Sequence, residues 1–248
     1  MKSRPLVIAH RGYSAKYPEN TMSAFNKAVE YKADMIEFDV HLSKDKKICI
    51  THDYELGRTC NGSGLLDNYT FDQLQELDFG SWFNSSFTHE KIPELSDLLK
   101  LSMEFNISLN LEVKHQTLHE NAVGIDTMCK QLKKYLENYS LSDSLIVSSF
   151  SYDFLKEFRL QMPNIKIGIL NHYLEKDLHL NLVDELKAYS YHPNFKSLNS
   201  EYIKLIKDKG LKIFPYTANT ESDFEKLRSL GVDGIITNEV SLLLEYLS

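Results

Sequence analysis

The sequence predicts an α/β fold in which eight parallel strands form a barrel with helices packed outside it. Short apolar runs alternate along the chain with amphipathic helical stretches, and this alternation is typical of a parallel sheet covered by helices. The chain has 248 residues, a length at which α/β barrels usually form one domain. We therefore expect a single domain over residues 1–248.

Nine stretches have the character of strands, which is one more than such a barrel needs. Too few residues separate the second from the third for a parallel crossover, so these two are predicted to form a hairpin. A turn centred between residues 44 and 45 places Glu37 opposite His52 and Asp39 opposite Ile50, with all four on one face. The predicted strands are Leu6–His10, Met35–His41, Ile48–His52, Ile107–Val113, Leu145–Phe150, Lys166–Leu170, Ala188–His192, Leu211–Tyr216 and Gly234–Thr237.

Residues 54–93 are poor in strand signal and contain one predicted short helix, Thr70–Leu77, and the only tryptophan, Trp82. A loop of this length is usually functional or disordered, and the Leu, Phe and Trp side chains here favour a folded structure. We expect a capping insertion of about residues 54–93 over the mouth of the barrel. Helical periodicity elsewhere predicts Glu94–Phe105, Leu118–Tyr139, Ser151–Leu160, Leu174–Leu186, Ser200–Lys209, Glu221–Leu230 and Ser241–Leu247.

The composition argues against several classes of protein. A net charge of −7 and a sequence pI near 5.7 leave no broad basic surface, so we expect neither nucleic acid nor an anionic membrane as the main partner. No run of about 18 apolar residues occurs, so no transmembrane segment is expected. Cys49, Cys60 and Cys129 lie in no zinc or redox spacing. Together with the lack of an export signal, they predict a cytoplasmic protein.

The first predicted strand ends in Ala9-His10-Arg11-Gly12, which places an imidazole and a guanidinium at its carboxyl end. Pro18-Glu19-Asn20-Thr21 follows, and either Asn20 or Thr21 is expected to cap a helix that runs to about Tyr31. Loops at the carboxyl ends of strands are where α/β folds carry their chemistry. This segment is therefore the first candidate for a functional site.

Carboxylates follow on two later strands. Glu37 and Asp39 are two residues apart and so point the same way, and Glu112 and Lys114 repeat this spacing. Each lies among apolar residues, and buried carboxylates without a counter-charge would be forced to protonate. A divalent cation would keep them ionised, and oxygen ligands alone suit Mg²⁺ or Ca²⁺ better than zinc.

Each of these signals alone has a common structural explanation. Glu37 and Asp39 could form the polar face of a half-solvated strand, and Glu112 with Lys114 a surface ion pair worth less than about 1 kcal/mol. His10 could be a core histidine bonded to a carbonyl group. The functional interpretation gains weight because all of these residues fall at predicted strand ends, which a barrel brings together.

The ordered set of motifs resembles the glycerophosphodiester phosphodiesterase family across nearly the whole chain. The resemblance implies a TIM (β/α)8 barrel with an insertion after the second strand region, a divalent metal, and hydrolysis of glycerophosphodiesters to glycerol 3-phosphate and an alcohol. Barrels of this kind often associate with copies of themselves, so a homo-oligomer is compatible with the sequence. The motifs are Ala9-His10-Arg11-Gly12, Pro18-Glu19-Asn20-Thr21, Glu37-Phe38-Asp39-Val40, Thr51-His52-Asp53, Arg58-Thr59-Cys60-Asn61-Gly62-Ser63-Gly64, Ile92-Pro93-Glu94-Leu95, Asn110-Leu111-Glu112-Val113-Lys114, Ser148-Ser149-Phe150 and the run from Tyr216 to Asn238.

The resemblance also implies roles for individual residues. It assigns acid–base catalysis to His10 and His52, and contacts with phosphate oxygens to Arg11 and Lys114. The implied metal ligands are Glu37, Asp39 and Glu112, with Glu19 as a further ligand or a near neighbour, and the implied substrate pocket includes Tyr216 and Asn20.

Tyr216 departs from the family, which usually has tryptophan at this position. Tyr216 could form an aromatic wall of the pocket with a changed size and hydrogen bonding, or it could merely fill the core. The preference for the alcohol or acyl group is therefore open, and the class of reaction is not. Lysophospholipase D or sphingomyelinase D-like activity is the alternative within enzymes. A catalytically silent phosphate- or lipid-binding barrel is the alternative outside them, and it would be marked by loss of His10, His52 or a carboxylate.

Overall fold

The computed structural model describes residues 4–118, 122–139, 141, 143–172 and 180–248. The strands are β1 Leu6–His10, β2 Met35–Leu42, β3 Ile48–Ile50, β4 Glu55–Leu56, β5 Gly64–Leu65, β6 Ser108–Val113, β7 Leu145–Ser149, β8 Lys166–Asn171, β9 Ser190–Pro193, β10 Lys212–Ile213 and β11 Gly234–Thr237. The α-helices are α1 Met22–Glu30, α2 Phe71–Glu76, α3 Leu95–Phe105, α4 Ala122–Leu136, α5 Tyr152–Gln161, α6 Leu180–Leu186, α7 Ser200–Asp208, α8 Glu221–Leu230 and α9 Val240–Leu247.

Eight parallel strands form the predicted TIM barrel, with helices between them. Their order in the sheet is β10-β9-β8-β7-β6-β2-β1-β11. The two end strands approach each other, since the Asp233 N–H donates to the Ile213 carbonyl at 3.1 Å and the Ile236 N–H to the Pro215 carbonyl at 3.0 Å. The barrel is therefore nearly closed, and the carboxyl ends of its strands meet at one mouth.

Two apolar layers hold the barrel together. Inside it, Ile8, Met35, Ile146, Phe214 and Ile236 pack against one another. The opposite faces of the same strands pack against the helices in a larger core. This two-sided burial explains why the strand signals are continuous apolar runs.

The helices follow the periodicity of the sequence closely. Thr21 caps α1 by accepting a hydrogen bond from the Ala24 N–H, and Thr70 caps α2 through a reciprocal capping box with Gln73. The beginning of the helix predicted from Leu174 lies outside the described residues. Among the residues that the structure describes, no helix has the length and apolar character needed to cross a membrane.

The predicted pairing of β2 with β3 is wrong by one residue. The structure pairs Val40 with Ile50 and His41 with Cys49, whereas the prediction placed Asp39 opposite Ile50. The turn contains three residues instead of two, because the Ser43 N–H donates to the Lys47 carbonyl and Lys46 adopts a left-handed φ of 63°. The ladder therefore does not place His52 on the face that carries Glu37 and Asp39, and another contact must bring it to the site.

Residues 54–93, which we call the cap segment, are folded and not extended. They form the short hairpin β4–β5, α2 and a buried apolar cluster that includes Leu66, Phe71, Leu74 and Phe79. The hairpin was not expected, because strands of two residues are too short to show alternation. At its barrel side, Arg58 of this segment donates to both carboxylate oxygens of Glu19. The cap segment therefore reaches the loop that follows β1.

A buried histidine inside the barrel makes folding sensitive to acid. His192 is fully buried with Nε2 2.8 Å from Ser190 Oγ, and burial lowers its pKa from 6.5 to about 3. Between these values the unfolded chain binds more protons than the folded chain. The contribution of His192 to stability is therefore complete above pH 6.5 and falls by about 1.4 kcal/mol for each pH unit below it.

His192→Leu should remove this contribution, so the free energy of unfolding should depend less steeply on pH in the variant. Urea unfolding at about pH 7.5 and pH 5 measures the effect. On going from pH 7.5 to pH 5, the free energy of unfolding of the variant should gain about 2 kcal/mol relative to that of the wild type. If the difference in free energy of unfolding between the two proteins is the same at both pH values, the lowered pKa of His192 is wrong.

Candidate active site

Alternate residues of the barrel strands point into the barrel, and polar ones gather at the carboxyl ends. In the strand register Glu37 lies opposite His10 on one side and Asn110 on the other. Asp39 lies opposite Glu112. Because paired residues on adjacent strands point to the same face, these five side chains share the interior of the mouth.

Glu37, Asp39 and Glu112 form a buried carboxylate triad. One oxygen of each lies within 4.8 Å of the others, and all three side chains are buried. Burial, followed by the negative charges of Asp39 and Glu112, raises the pKa of Glu37 well above its ordinary value. Burial also raises the pKa of Glu112. Carboxylates this close repel one another unless protons or a cation neutralise them.

The triad fits a hard divalent cation. Its donors are all carboxylate oxygens, which are the ligands that Mg²⁺ and Ca²⁺ prefer. Glu37 Oε1 is buried and has no hydrogen-bond partner in the described part of the chain. A buried acceptor without a donor is costly, and an ion held by the triad would remove that cost.

Two cationic side chains border the triad. Lys114 Nζ donates to Glu112 Oε1 at 2.7 Å and lies 3.5 Å from Asp39 Oδ1, while Arg11 Nε lies 3.2 Å from Asp39 Oδ2. Burial alone would raise the pKa of Asp39, but Lys114 and Arg11 together hold it below its ordinary value. Burial would lower the pKa of Lys114, and Asp39 and Glu112 instead raise it. Asp39 and Lys114 are therefore charged at neutral pH.

The loop after β1 supports the triad through two residues in left-handed conformation. Arg11 and Asn20 both have φ of 57°, and the Asn20 N–H donates to the Arg11 carbonyl at 3.0 Å. The Arg11 N–H donates to Glu37 Oε2 at 3.0 Å, and Asn20 Nδ2 donates to Asp39 Oδ2 at 2.9 Å. Asn20, expected in the substrate pocket, thus contacts a carboxylate of the triad. Gly12 closes the turn with φ of 80°.

His10 is held as a neutral imidazole with one free nitrogen. Its Nδ1 lies 2.6 Å from Asn238 Oδ1, an acceptor that also receives the Ser14 hydroxyl, so Nδ1 carries the proton. Nε2 is thereby left with its lone pair, 3.9 Å from Glu37 Oε2. Burial, followed by the charge of Arg11, lowers the pKa of His10 to about 3.

His52 has a different partner. Its Nδ1 lies 2.6 Å from the Asp53 carboxylate, which also accepts a hydrogen bond from Arg58. Burial lowers the pKa of His52, and the nearby charge of Asp39 opposes this effect. Both imidazoles interact electrostatically with Asp39, so they lie around the same carboxylate. A carboxylate partner stabilises an imidazolium, whereas the amide that faces His10 does so less.

The two imidazoles border different spaces. His10 lines a cavity of about 30 Å³ at the centre of the mouth together with Phe150 and Tyr216, room for about one water molecule. Tyr216 donates its hydroxyl to the Asn171 carbonyl at 3.1 Å and forms an aromatic wall with Phe150. His52 lines an outer groove of about 560 Å³. The other groove residues are Asp53, Tyr54, Glu55, Leu56, Arg58, Leu65 and Gln116.

Glu19 lies beside the triad and not in it. Its carboxylate accepts hydrogen bonds from Arg11 at 2.8 Å and from Arg58 at 2.7 Å, which lower its pKa against the opposing effect of burial. The alternative of a near neighbour therefore fits this geometry better than that of a fourth ligand. Glu19 connects the phosphate-binding candidate Arg11 to the cap segment.

Three contacts at the site were not predicted from the sequence. Asn238 orients His10, Asp53 orients His52, and Arg58 joins Asp53 to Glu19. The position of Asn238 directly after β11 was a signal that could have identified it, because strand ends carry site residues in barrels. Arg58 begins one of the family motifs, but its partners could not be predicted because they depend on how the cap segment folds.

Comparisons with known proteins point to one family and one fold. The sequence model of the glycerophosphoryl diester phosphodiesterase family matches residues 10–242. A glycerophosphodiester phosphodiesterase of Caldanaerobacter subterraneus subsp. tengcongensis is 35% identical over 242 residues, 97% of each chain. One of Bacillus altitudinis is 33% identical over 237 residues, 94% of each. An Oleispira antarctica phosphodiesterase, solved in complex with its product sn-glycerol-3-phosphate, has a TM-score of 0.89 and 28% identity, covering 98% of this chain and 96% of its own.

Proposed function

The chain belongs to the glycerophosphoryl diester phosphodiesterase family and is an enzyme of that kind; on this premise we propose that it hydrolyses small glycerophosphodiesters by metal-dependent acid–base catalysis with His10 and His52. The products are sn-glycerol 3-phosphate and an alcohol. The observation that carries this proposal is the buried triad of Glu37, Asp39 and Glu112, flanked by two imidazoles and two cations.

His10 acts as the general base. Its Nδ1–H points to Asn238, so the lone pair on Nε2 can accept a proton from the attacking hydroxyl, whether that hydroxyl belongs to glycerol or to water. The low pKa keeps this nitrogen unprotonated at neutral pH. Asn238 and Ser14 fix the tautomer that this role requires.

His52 acts as the general acid. The Asp53 carboxylate on Nδ1 favours the protonated ring and so opposes the lowering of the His52 pKa by burial; the ring, once protonated, can give a proton to the departing alkoxide. His52 borders the outer groove, where the alcohol part of the substrate has room. The two imidazoles thus divide the proton transfers between the two sides of the phosphoryl group.

Glu37, Asp39 and Glu112 would hold one divalent cation, Mg²⁺ or Ca²⁺. When bound, such an ion supplies Lewis-acid stabilisation of the negative charge on the phosphoryl oxygens. Arg11 and Lys114 contribute fixed positive charge beside it. Glu19 holds the guanidinium of Arg11 in place.

The spaces around the site favour a small polar diester over a lysolipid. The outer groove is lined mainly by charged and polar side chains, although Leu65 is 43% exposed beside it. An acyl chain would need a wider apolar surface than this groove offers. The lysophospholipase D alternative is therefore the less favoured one.

A panel of metals and substrates tests the function. The enzyme, stripped with a chelator, is assayed with Mg²⁺ or Ca²⁺ on glycerophosphocholine, glycerophosphoethanolamine, glycerophosphoglycerol and a lysophospholipid. We expect release of glycerol 3-phosphate only with added metal and faster turnover of the glycerophosphodiesters. Activity on the lysolipid alone, or full activity in chelator, would contradict the proposal.

Arg11→Ala should weaken engagement of the phosphate. A charge-assisted hydrogen bond is worth about 1.5–3 kcal/mol, so kcat/KM should fall by about 10- to 100-fold. Arg11→Lys is the matched variant, since it keeps the charge but loses the planar fork, and it should recover part of the loss. Initial rates at low substrate measure the effect. An unchanged kcat/KM in Arg11→Ala would remove this residue from phosphate binding.

We also place the enzyme in the cytoplasm. Cys49, Cys60 and Cys129 are free and buried, which is typical of proteins in a reducing compartment.

A further inference from the structure

His41 is a buried histidine to which the proposed mechanism gives no role. It lies on β2 two residues after Asp39 and is fully buried. Its Nε2 lies 3.0 Å from the backbone carbonyl oxygen of His52, and its ring centroid lies 5.7 Å from that of Tyr54. Because a carbonyl only accepts, His41 Nε2 carries the proton and donates it. His41 thus connects the strand of the triad to the backbone of His52.

The backbone around His52 has little other support. The ladder between β2 and β3 ends at Ile50, and the Thr51 N–H then donates to the Asp39 carbonyl at 3.1 Å. Within the described ranges, no backbone–backbone hydrogen bond involves His52. The side-chain contact between His52 and Asp53 is a local one between neighbouring residues. Thr51 is thus anchored to β2, and in the described part of the chain the contact from His41 is what extends this anchoring to the backbone of His52 itself.

The hydrogen bonding of the His41 side chain also indicates a role for this residue. His41 Nδ1 is buried without a hydrogen-bond partner among the described residues. An apolar residue at position 41 would avoid this unpaired nitrogen. A buried polar group kept at such a cost requires an explanation, and the donation to His52 supplies one.

We propose that His41 is a positioning residue, whose Nε2–H fixes the backbone of His52 and thereby aims its imidazole at the leaving oxygen. This inference rests on the proposed function, in which His52 is the general acid. It also explains how His52 reaches the site although the observed register does not place it there. The ladder does not place His52 at the site, and a hydrogen bond from the adjacent strand does so instead.

Three variants separate the hydrogen bond from the bulk of the side chain. His41→Gln keeps an N–H donor at about the reach of Nε2, His41→Asn has the same amide one carbon shorter, and His41→Leu has no donor. Small displacements of catalytic groups can cost about 100-fold in rate. We expect kcat on glycerophosphocholine to fall by about 10- to 100-fold in the Asn and Leu variants and by less than about three-fold in Gln. KM should change little in all three.

A second substrate distinguishes loss of acid catalysis from general damage. The 4-nitrophenyl ester of glycerol 3-phosphate has a leaving group that departs without a proton donor. The Asn and Leu variants should therefore approach wild-type turnover on this ester while remaining slow on glycerophosphocholine. His192→Leu, in which another fully buried imidazole is removed, is the control and should keep the wild-type ratio of the two rates.

The outcomes separate this inference from the function on which it rests. If His52→Ala shows the selective loss on glycerophosphocholine and His41→Leu and His41→Asn do not, the positioning role is wrong and the acid role stands. If His52→Ala lacks that selectivity, the acid role itself fails. A Gln variant as slow as Asn, with both folded by circular dichroism, would also overturn the inference. Should Leu not fold, the comparison of Gln with Asn still decides.

Discussion

His52→Ala should lower turnover of glycerophosphodiesters by about 100- to 10,000-fold, the range typical for removal of a general acid or base. The reason is that the alkoxide of choline or glycerol is a poor leaving group unless it is protonated as the bond breaks. In the structure His52 borders the outer groove and is paired with the Asp53 carboxylate, which opposes the lowering of its pKa by burial. Steady-state assays on glycerophosphocholine, with circular dichroism to verify the fold, measure the loss.

His10→Ala is expected to cause a loss of similar size with a different dependence on the leaving group. A general base activates the attacking hydroxyl, so its removal should slow the alkyl and the 4-nitrophenyl diesters alike. Removal of His52 should slow mainly the alkyl diester. Near-normal turnover in either variant would exclude that residue from catalysis, and equal effects on both substrates in both variants would contradict the division of roles.

The sequence predicts the barrel well because its signals are local and repeated. Most of the barrel strands are buried apolar runs, and helices begin at capping residues that can be recognised, as at Thr21 and Thr220. The register of the β2–β3 hairpin was missed for an equally local reason. It depends on a left-handed lysine, Lys46, and lysine has no preference for that conformation that a sequence would reveal.

The residues of the candidate site also fall into two groups, those that local spacing predicts and those that depend on contacts between distant segments. Glu37, Asp39 and Glu112 could be identified because spacing within a strand fixes the direction of a side chain. Asn238, Arg58 and the contact of His41 with His52 depend on distances between separate segments. Such contacts become visible only when the barrel and the cap segment are in place.

The cap segment completes the site electrostatically. Arg58 bridges Glu19, which holds Arg11, and Asp53, which holds His52. The same guanidinium thus supports one candidate phosphate ligand and one candidate catalytic histidine. Because Asp53 and Glu19 share this partner, the orientation of both is coupled to the folding of the cap segment on the barrel.

Glu37→Gln is expected to change stability in opposite directions in the absence and in the presence of metal. In the protein without metal, burial and the charges of Asp39 and Glu112 oppose ionisation of Glu37, so a neutral isostere relieves the repulsion. Its amide oxygen can still accept the Arg11 N–H. In chelator, the variant should therefore unfold at a temperature no lower than the wild type.

With excess Mg²⁺ or Ca²⁺ the wild type should unfold at a higher temperature than Glu37→Gln. Binding to the folded state alone stabilises by about 2.7 kcal/mol at a ligand concentration 100 times Kd, and the wild type should gain this stabilisation. The variant should lose it together with turnover. Residues that merely support a metal ligand cost about 10- to 100-fold in affinity, so a direct ligand should cost more than about 100-fold.

Thermal unfolding in chelator and in metal, with isothermal calorimetry for affinity, tests both parts. Glu30→Gln, which removes a carboxylate paired with Lys27 on the solvent-facing side of α1, should change neither. A Glu37→Gln enzyme that still binds metal tightly would show that Glu37 is not a ligand. A wild type whose unfolding and turnover ignore chelator and added metal would show that the triad is neutralised by protons, and the metal-dependent mechanism would then be wrong.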